Sequence, residues 1–511
     1  MTPGYSREAL AIPSNPFHEM LFSGESPEPP ALIGGDIQLS WSELRHLVLG
    51  AIAVLQSSGL AASPAGDGIA VCPSNTIEAV VLLLACLVAD VPVLLIHEKL
   101  TLSEQSAIRI RAGVTESLPH LLSPTWRWSC AALHRSYPDL AVVVFTSGSS
   151  GIPKGVALGR HQLLAAAEAS EKRLGWHTND RWLLSMSLAH VGGLSVLTRC
   201  LLARKTVVLS AIPRFSAAEL MSLCVAHRVT LLSVVPTMLK RLLESTPGEL
   251  PESIRAILVG GGMSSPSLLL SGWRRRWPIL PTYGMTECCS QIATLHPQTL
   301  AELWSKAKED ESPSSHIRLP GCGPVLEGYQ LRVREGMLEV KSPALCYGYL
   351  PSNGELSGLE ASVEADGFFR TGDLGWVDEW GCVHVEGRRS DRIVTGGENV
   401  SPLEVELVLE ACDGVVGACV FGEDDSEFGQ KVVAVMVTEA GRWDEDLLRA
   451  LVRTLRQKLA TFKVPRVFLP VDALVLNSVG KLDRLKTIAK ARENAAAASF
   501  RIDSSSDLER R

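Results

Sequence analysis

Apolar residues recur at helical spacing over Trp41 to Gln56 and Thr76 to Val88, which predicts two helices, each turning one face toward a core. Other apolar stretches are short and uninterrupted: VPVLLI, Ala141 to Phe145, Thr206 to Leu209, Leu231 to Val235 and Ala256 to Val259. Strands that are apolar on both faces belong to sheets covered on both sides. The alternation therefore predicts an α/β fold, with parallel-rich sheets covered by helices. Ala79 to Ile96 is the most apolar stretch, but Asp90 and Pro92 divide it, so it reads as a buried helix followed by a strand and not as an integral membrane segment. Several strands run straight into small or hydroxyl residues: Phe145 into TSGSSG, Val259 into GGG, and Ile279-Leu280 into PTYGMTE. In α/β sheets ligands gather at such strand ends.

Beyond about residue 325 the pattern shifts to shorter strands and turns, and Gly375 to Glu386 reads as a β-hairpin turning at Asp378 to Gly381. The charged, aperiodic GRRSDRI follows. It predicts a boundary that divides the chain into a large N-terminal domain (1–386), a hinge (387–391) and a small, mobile α+β C-terminal domain (392–490). In that last domain, helices are expected at Pro402 to Cys412 and Glu445 to Leu459, and strands at Val415 to Phe421 and Lys431 to Val437. Residues 491–511, rich in alanine, serine and charge, predict a frayed helix and a disordered tail.

Composition narrows the function. Among 511 residues, 46% are hydrophobic and 21% charged, an ordinary globular balance that excludes collagen, coiled-coil and low-complexity classes. With 49 basic against 56 acidic residues, net −7, there is no basic surface for a nucleic-acid backbone, so an anionic substrate must be held locally. The 12 cysteines show no CxxC or Cys/His ligand spacing, which predicts neither a zinc site nor a disulfide framework and suits a reducing cytoplasm. The first 30 residues lack the basic start and apolar run of a signal peptide.

The strongest local signal is VVVFTSGSSGIPKG, residues 142 to 155, a buried strand leading into a loop with Thr146, Ser147, Gly148, Ser149, Ser150, Gly151 and Lys154. Such a loop is able to wrap an anion, because glycines let backbone N–H groups approach, hydroxyls add donors and lysine adds charge. A solvated serine-glycine turn is the competing reading. A P-loop is excluded, since proline precedes Lys154 and glycine follows it.

The loop resembles the phosphate-binding signature of the adenylate-forming superfamily of acyl-CoA synthetases, luciferases and peptide-synthetase adenylation domains. Four further signatures of that family follow in order: YGMTE at 283 to 287, RTGDLG at 370 to 375, GRRSDRIVTGGEN at 387 to 399 and NSVGK at 477 to 481. The resemblance implies that Glu287 holds Mg²⁺, that Thr286 meets the α-phosphate, and that Asp373 and Arg388 bind the ribose of ATP. A carboxylate joined by phosphate oxygens is a donor set that Mg²⁺ prefers. Gly260, Gly261 and Gly262, with Thr282, Tyr283 and Gly284, are expected to wall the adenine. By the same resemblance Lys481 reaches the α-phosphate and the attacking carboxylate, Gly396 and Gly397 leave room for the pantetheine arm of coenzyme A, and Ser390 takes the hinge position, where many members carry aspartate or lysine. Cys288 and Cys289, beside the site, read as packing residues or as redox-sensitive thiols.

No catalytic cysteine motif or Ser-His-Asp order is present, in keeping with activation by adenylation. The segment SLAHVGGLS (187 to 195) lacks the aspartate with which peptide-synthetase domains bind a substrate ammonium, so coenzyme A is the expected thiol. Finer resemblance, over SLAHVGGLSVLTRCLL, VVPTMLKRLL, ILVGGGMSSP and TYGMTECCSQIATL, is to the o-succinylbenzoate-activating CoA ligases of menaquinone biosynthesis. That acid carries a second carboxylate, for which His190, Arg199 and Thr282 are the candidate anchors. A CoA ligase for another aromatic or medium-chain acid is the runner-up, and a non-catalytic nucleotide-binding regulator is the reading from another class. Assembly as a homo-oligomer stays open.

Overall fold

The uninterrupted apolar runs become the middle strands of two sheets in the computed structural model, which describes residues 14–23, 29–60, 67–118, 125–130, 136–146, 154–211, 215–246, 249–302, 321–350, 363–441, 443–477, 480–494, 500–502 and 508–510. The first sheet runs Ser290–Thr294, Ile279–Met285, Ala256–Val259, Leu231–Val234, Arg181–Leu184, Thr206–Leu209, Leu32–Gly34, Ile37–Leu39. Its inner pairings are all parallel, and only the two edge strands run antiparallel. In the second sheet, parallel pairing is confined to Gly68–Val71, Val93–Leu95 and Leu140–Thr146. The reason is local. The next described strand after Thr146, Lys154–Gly159, runs antiparallel to Leu140–Thr146, with Thr146 opposite Lys154.

Helices cover these sheets as the periodicity predicts. Trp41–Ser57 starts at a capping box, in which Ser40 caps the Glu43 N–H and Glu43 answers on the Ser40 N–H. Ile77–Val88, capped by Thr76, is buried at every residue from Val80 to Val88. A helix apolar all round belongs inside, and this one is a core helix. No helix among the described residues is long and apolar enough to cross a membrane.

A smaller antiparallel sheet joins Gln330–Arg334, Met337–Lys341, Phe369–Val377 and Val383–Arg388. Its hairpin turns where Asp378 Oδ1 accepts the backbone N–H groups of Trp380 and Cys382. The C-terminal sheet is built on Gly429–Thr438, paired with Val415–Asp425, Ile393–Thr395 and Val467–Pro470, and packed by the helices Pro402–Glu410, Glu445–Lys458 and Arg484–Asn494. Its buried clusters draw no residue from before Ile393. Where the composition predicts a disordered tail, the structure places two short strands: Phe500–Ile502 pairs antiparallel with Val467–Pro470, and Leu508–Arg510 pairs with it in turn. The open edge of Val467–Pro470 supplies the backbone partners that composition does not register.

Candidate active site

Three adjacent parallel strands, Leu231–Val234, Ala256–Val259 and Ile279–Met285, end together, and their continuations form the floor of a cleft. Gly260 lies against Thr282, where a Cβ would fall 2.6 Å from the Thr282 Cγ2. Gly261 has φ +76° and faces Lys481: a Cβ there would meet the lysine Cε at 3.2 Å and Nζ at 3.6 Å. The glycine thus opens the space into which Lys481 projects. At Gly262 a Cβ would make only ordinary contact, with Pro236 at 3.5 Å. Lys481 comes from the C-terminal part, on a turn in which Asn477 Oδ1 accepts the Lys481 N–H at 3.0 Å. Thr237 Oγ1 fastens that turn by donating to the Gly480 carbonyl at 2.8 Å. Just beyond, Arg484 forms a two-pronged pair with the buried Glu406, anchoring the start of the last helix. Burial, together with the Arg388 charge, pulls the Lys481 pKa down to about 8 against the opposing pull of Asp373.

Asp373 is only 5% exposed and already fully engaged. Its Oδ1 meets Arg388 Nε at 2.7 Å, and its Oδ2 accepts the Tyr283 hydroxyl at 2.7 Å. Thr371 braces the turn from below, donating to the Leu338 carbonyl at 2.7 Å while accepting the Asp373 N–H at 3.0 Å. Burial raises the Asp373 carboxyl above its usual range even though Arg388 and Tyr283 favour its charged form. Each carboxylate oxygen keeps a lone pair for a further donor, so a diol is able to join without displacing either partner. The family resemblance implies that Asp373, Arg388 and Tyr283 share the nucleotide site, and the structure brings the three together. The resemblance gives no sign of Thr371, or that Tyr283 works through its hydroxyl.

Glu287 and Thr286 occupy one turn of 3₁₀ helix directly after the strand Ile279–Met285. Past Cys288, which ends that turn, Cys289 and Ser290 both have positive φ, +52° and +104°. Gly284 makes this reversal possible, because a Cβ there would lie 1.7 Å from the Ser290 carbonyl oxygen. Strain of this kind on non-glycine residues is retained where function fixes a side chain. Cys288 and Cys289 are buried and burial pushes both thiols up, so they pack and do not react. Glu287 Oε1 accepts the hydroxyl of Tyr349 at 2.8 Å, and Lys154 Nζ lies 5.1 Å from the centre of the Tyr349 ring. Tyr349 carried no sequence signal, since its contacts arise from pairing between distant strands. Thr146 and Lys154 pair across the two strands that flank the segment expected to wrap an anion; Ser147, Gly148, Ser149, Ser150 and Gly151 lie outside the described residues.

The residues present fit a hard cation that arrives with its own oxygens. The described residues hold no cluster of three or more metal-binding side chains, and Glu287 offers one carboxylate with an oxygen to spare. Mg²⁺ keeps several waters and takes one or two carboxylates plus phosphate oxygens, which is this donor set.

A cavity of about 110 Å³ opens beside Lys481, between the loop 185–190 and the helix Pro236–Ser245. Of the three expected acid anchors only His190 lines it. His190 caps the helix Val191–Leu202, with its Nδ1 accepting the Gly192 N–H at 3.0 Å. Burial, with Lys481 and His97 nearby, lowers its pKa to about 3, so the ring is neutral with its proton on Nε2. Thr282 is committed elsewhere, bonded to the Ala293 carbonyl at 2.9 Å and to Thr294 Oγ1 at 2.8 Å. Arg199 is 4% exposed, packs its guanidinium over Trp182 at 5.6 Å, and its Nε and Nη2 find no hydrogen-bond partner among the described residues. Burial lowers its pKa to about 10. It neither lines the cavity nor faces solvent, yet it is a buried cation with two spare donors. Gly396 and Gly397 form an exposed turn beside Phe428, and a Cβ at Gly397 would meet nothing within 4 Å. Ser390 is exposed and donates to Asp391 at 3.0 Å, which in turn pairs with Arg484 at 3.5 Å.

Comparison with known proteins agrees with this geometry. Residues 130–350 match the family model described as AMP-binding enzyme, and residues 404–481 match the AMP-binding enzyme C-terminal domain. A 2-succinylbenzoate–CoA ligase of Bacillus licheniformis is 34% identical over 487 residues, covering 90% of this chain and 97% of the relative. The o-succinylbenzoate CoA synthetase of Bacillus subtilis in complex with its acyl-adenylate intermediate superposes with a TM-score of 0.77 at 29% identity, covering 93% of this chain and 98% of that one. The same synthetase in complex with ATP and magnesium ion gives 0.76 at 29% identity, over 93% and 100%. The chain belongs to the AMP-binding enzyme family, beside the 2-succinylbenzoate–CoA ligases.

Proposed function

We infer that this protein activates 2-succinylbenzoate with ATP and transfers the acyl group to coenzyme A, the ligation that its relatives are named for. The observation that carries the reading is the delivery of Lys481 from the C-terminal part onto Gly261, in the cleft that also holds Glu287 and the Asp373–Arg388 pair. A carboxylate is a poor electrophile. Its oxygen attacks the α-phosphorus of ATP, the bond to pyrophosphate breaks, and an acyl-adenylate results. Asp373 and Arg388 fix the ribose, Lys154 and the loop after Thr146 hold the phosphates, and Lys481 draws the two anions together as charge moves to the leaving group. Bound Mg²⁺, held by Glu287, supplies neutralisation of phosphate charge. The thiol of coenzyme A then attacks the acyl carbon, releasing AMP and a proton.

Arg199 is the anchor we assign to the carboxylate that does not react, because a buried arginine with two unbonded N–H groups fits a planar two-oxygen anion. His190, neutral, offers Nε2–H to the acid. The turn at Gly396 and Gly397 serves the second step after the C-terminal part rotates about Ser390, since Lys481 occupies the cleft in the arrangement described. Pyrophosphate release measured over a panel of acids tests the whole. The expected result is turnover of 2-succinylbenzoate at least about 100-fold above benzoate, 4-phenyl-4-oxobutanoate or octanoate in kcat/KM, a gap of about 2.7 kcal/mol that one buried ion pair supports. A higher value for another acid would reassign the substrate, and ATP binding with no exchange for any acid would leave a regulator.

A further inference from the structure

Tyr349 stands between two groups of the nucleotide machinery that share no sequence neighbourhood. It belongs to the strand Gly348–Leu350, which pairs antiparallel with Lys154–Gly159, Tyr349 lying opposite Val156. Residues two apart on a strand share a face, so this register puts Lys154 diagonally beside Tyr349, on the same side of the sheet. The contact follows: Lys154 Nζ is 5.1 Å from the ring centre, within range of a cation–π attraction. At its other end the hydroxyl donates to Glu287 Oε1 at 2.8 Å. The backbone reinforces the same approach, as the Cys346 N–H donates to the Glu287 carbonyl at 2.7 Å.

We propose that Tyr349 is a positioning residue for both nucleotide-binding charges: its hydroxyl fixes the Glu287 carboxylate for the metal, and its ring seats Lys154 at the foot of the phosphate loop. The proposal rests on the assignment of Mg²⁺ to Glu287. A hydrogen bond to one oxygen of a carboxylate limits its rotation and leaves the other oxygen aimed, the same device by which outer partners orient metal ligands elsewhere. The two tasks separate by substitution. Tyr349→Phe removes only the hydroxyl and keeps the ring under Lys154, whereas Tyr349→Leu removes both.

The test is metal and nucleotide binding to the full chain, with Mn²⁺ as the spectroscopic probe and a non-hydrolysable ATP analogue, followed by electron paramagnetic resonance and calorimetry. Tyr349→Phe is expected to weaken Mn²⁺ in the ternary complex by about tenfold, the low end for losing a hydrogen bond to a charged group. Its affinity for the analogue in EDTA should stay within about twofold of the parent's. Tyr349→Leu is expected to lose an additional factor of about three in EDTA, the scale of an exposed cation–π contact. Glu287→Gln serves as the reference. If Glu287→Gln leaves Mn²⁺ affinity intact, the metal assignment itself is wrong. If Glu287→Gln weakens Mn²⁺ but Tyr349→Phe does not, or if Tyr349→Phe weakens the analogue equally with and without metal, the positioning role is overturned.

Discussion

The charged groups of the cleft fall into two kinds. In the cluster assigned to the ribose the charges are already matched: Asp373 holds Arg388 at one oxygen and the Tyr283 hydroxyl at the other, and Thr371 braces the turn. The two cations assigned to the acid, half-buried Lys481 and buried Arg199, have no bonded counter-charge among the described residues. Lys481 is held against Gly261 with its pKa lowered to about 8, and Arg199 lies at 4% exposure with two N–H groups unbonded. The first cluster is rigid before substrate arrives and binds by adding to a finished network. The second is kept short of partners, so the anions that enter it relieve a cost the folded protein already carries. Substitutions in the two clusters should therefore separate activity from stability in opposite ways.

The largest effect is expected at Lys481. Lys481→Ala should slow acyl-adenylate formation at least about 1,000-fold, roughly 4 kcal/mol of barrier, while a supplied acyl-adenylate is still converted to the thioester. Its thermal midpoint should not fall, because a half-buried cation with no bonded counter-charge among the described residues has been removed. Equal loss in both half-reactions would break the assignment. Next, Asp373→Ala should lower kcat/KM for ATP roughly 100-fold and also cost about 2 kcal/mol of stability, since it strands the buried Tyr283 hydroxyl. Urea unfolding measures the second part, and an unchanged midpoint would mean the ribose cluster is not the pre-paired network described.

Arg199→Met should raise the KM for 2-succinylbenzoate by about 10-fold to 30-fold, leave 4-phenyl-4-oxobutanoate within about twofold, and raise stability by about 1 kcal/mol. A fall in stability would move Arg199 into the paired class. The smallest effect is on pH. The Lys481 pKa in the folded chain is pulled down to about 8 from the ordinary lysine value of 10.5, so the ammonium loses its proton as pH rises through about 8. The kcat/KM for ATP should then decline tenfold per pH unit above that point, reporting the free enzyme. Lys481→Arg should remove the decline whatever its rate, because guanidinium stays protonated.

Much of this was legible in the sequence because it follows from local chain. Uninterrupted apolar runs such as Ala256–Val259 must be buried, and the glycines after them mark strand ends, so the position of the cleft came with the pattern. What stayed hidden depends on pairing across the chain. The strand KGVALG has two glycines and weak strand character, and only its register with Leu140–Thr146 brings Lys154 opposite Thr146. Tyr349 reaches Lys154 through a second pairing of the same strand. Arg199 sits in VGGLSVLTRCLL, a helix buried on nearly every side, so no periodicity distinguishes a solvated arginine from an enclosed one. The engagement of the Thr282 hydroxyl with Ala293 and Thr294 follows from the register of two consecutive strands, which spacing alone does not fix.

The turn that carries Lys481 is tied to the cleft wall by the Thr237 hydroxyl on the Gly480 carbonyl, and nearby Lys240 Nζ donates to the Val416 carbonyl at 2.8 Å. Hydrogen bonds of this kind are worth about 1 kcal/mol each in water. Two of them bias closure only about 30-fold, a ratio that the arrival or departure of a single charged ligand is able to reverse. Mounted on so light a catch, the lysine we assign to the first half-reaction would act like the tooth of an escapement, engaged for one stroke of the cycle and released for the next by a change in charge.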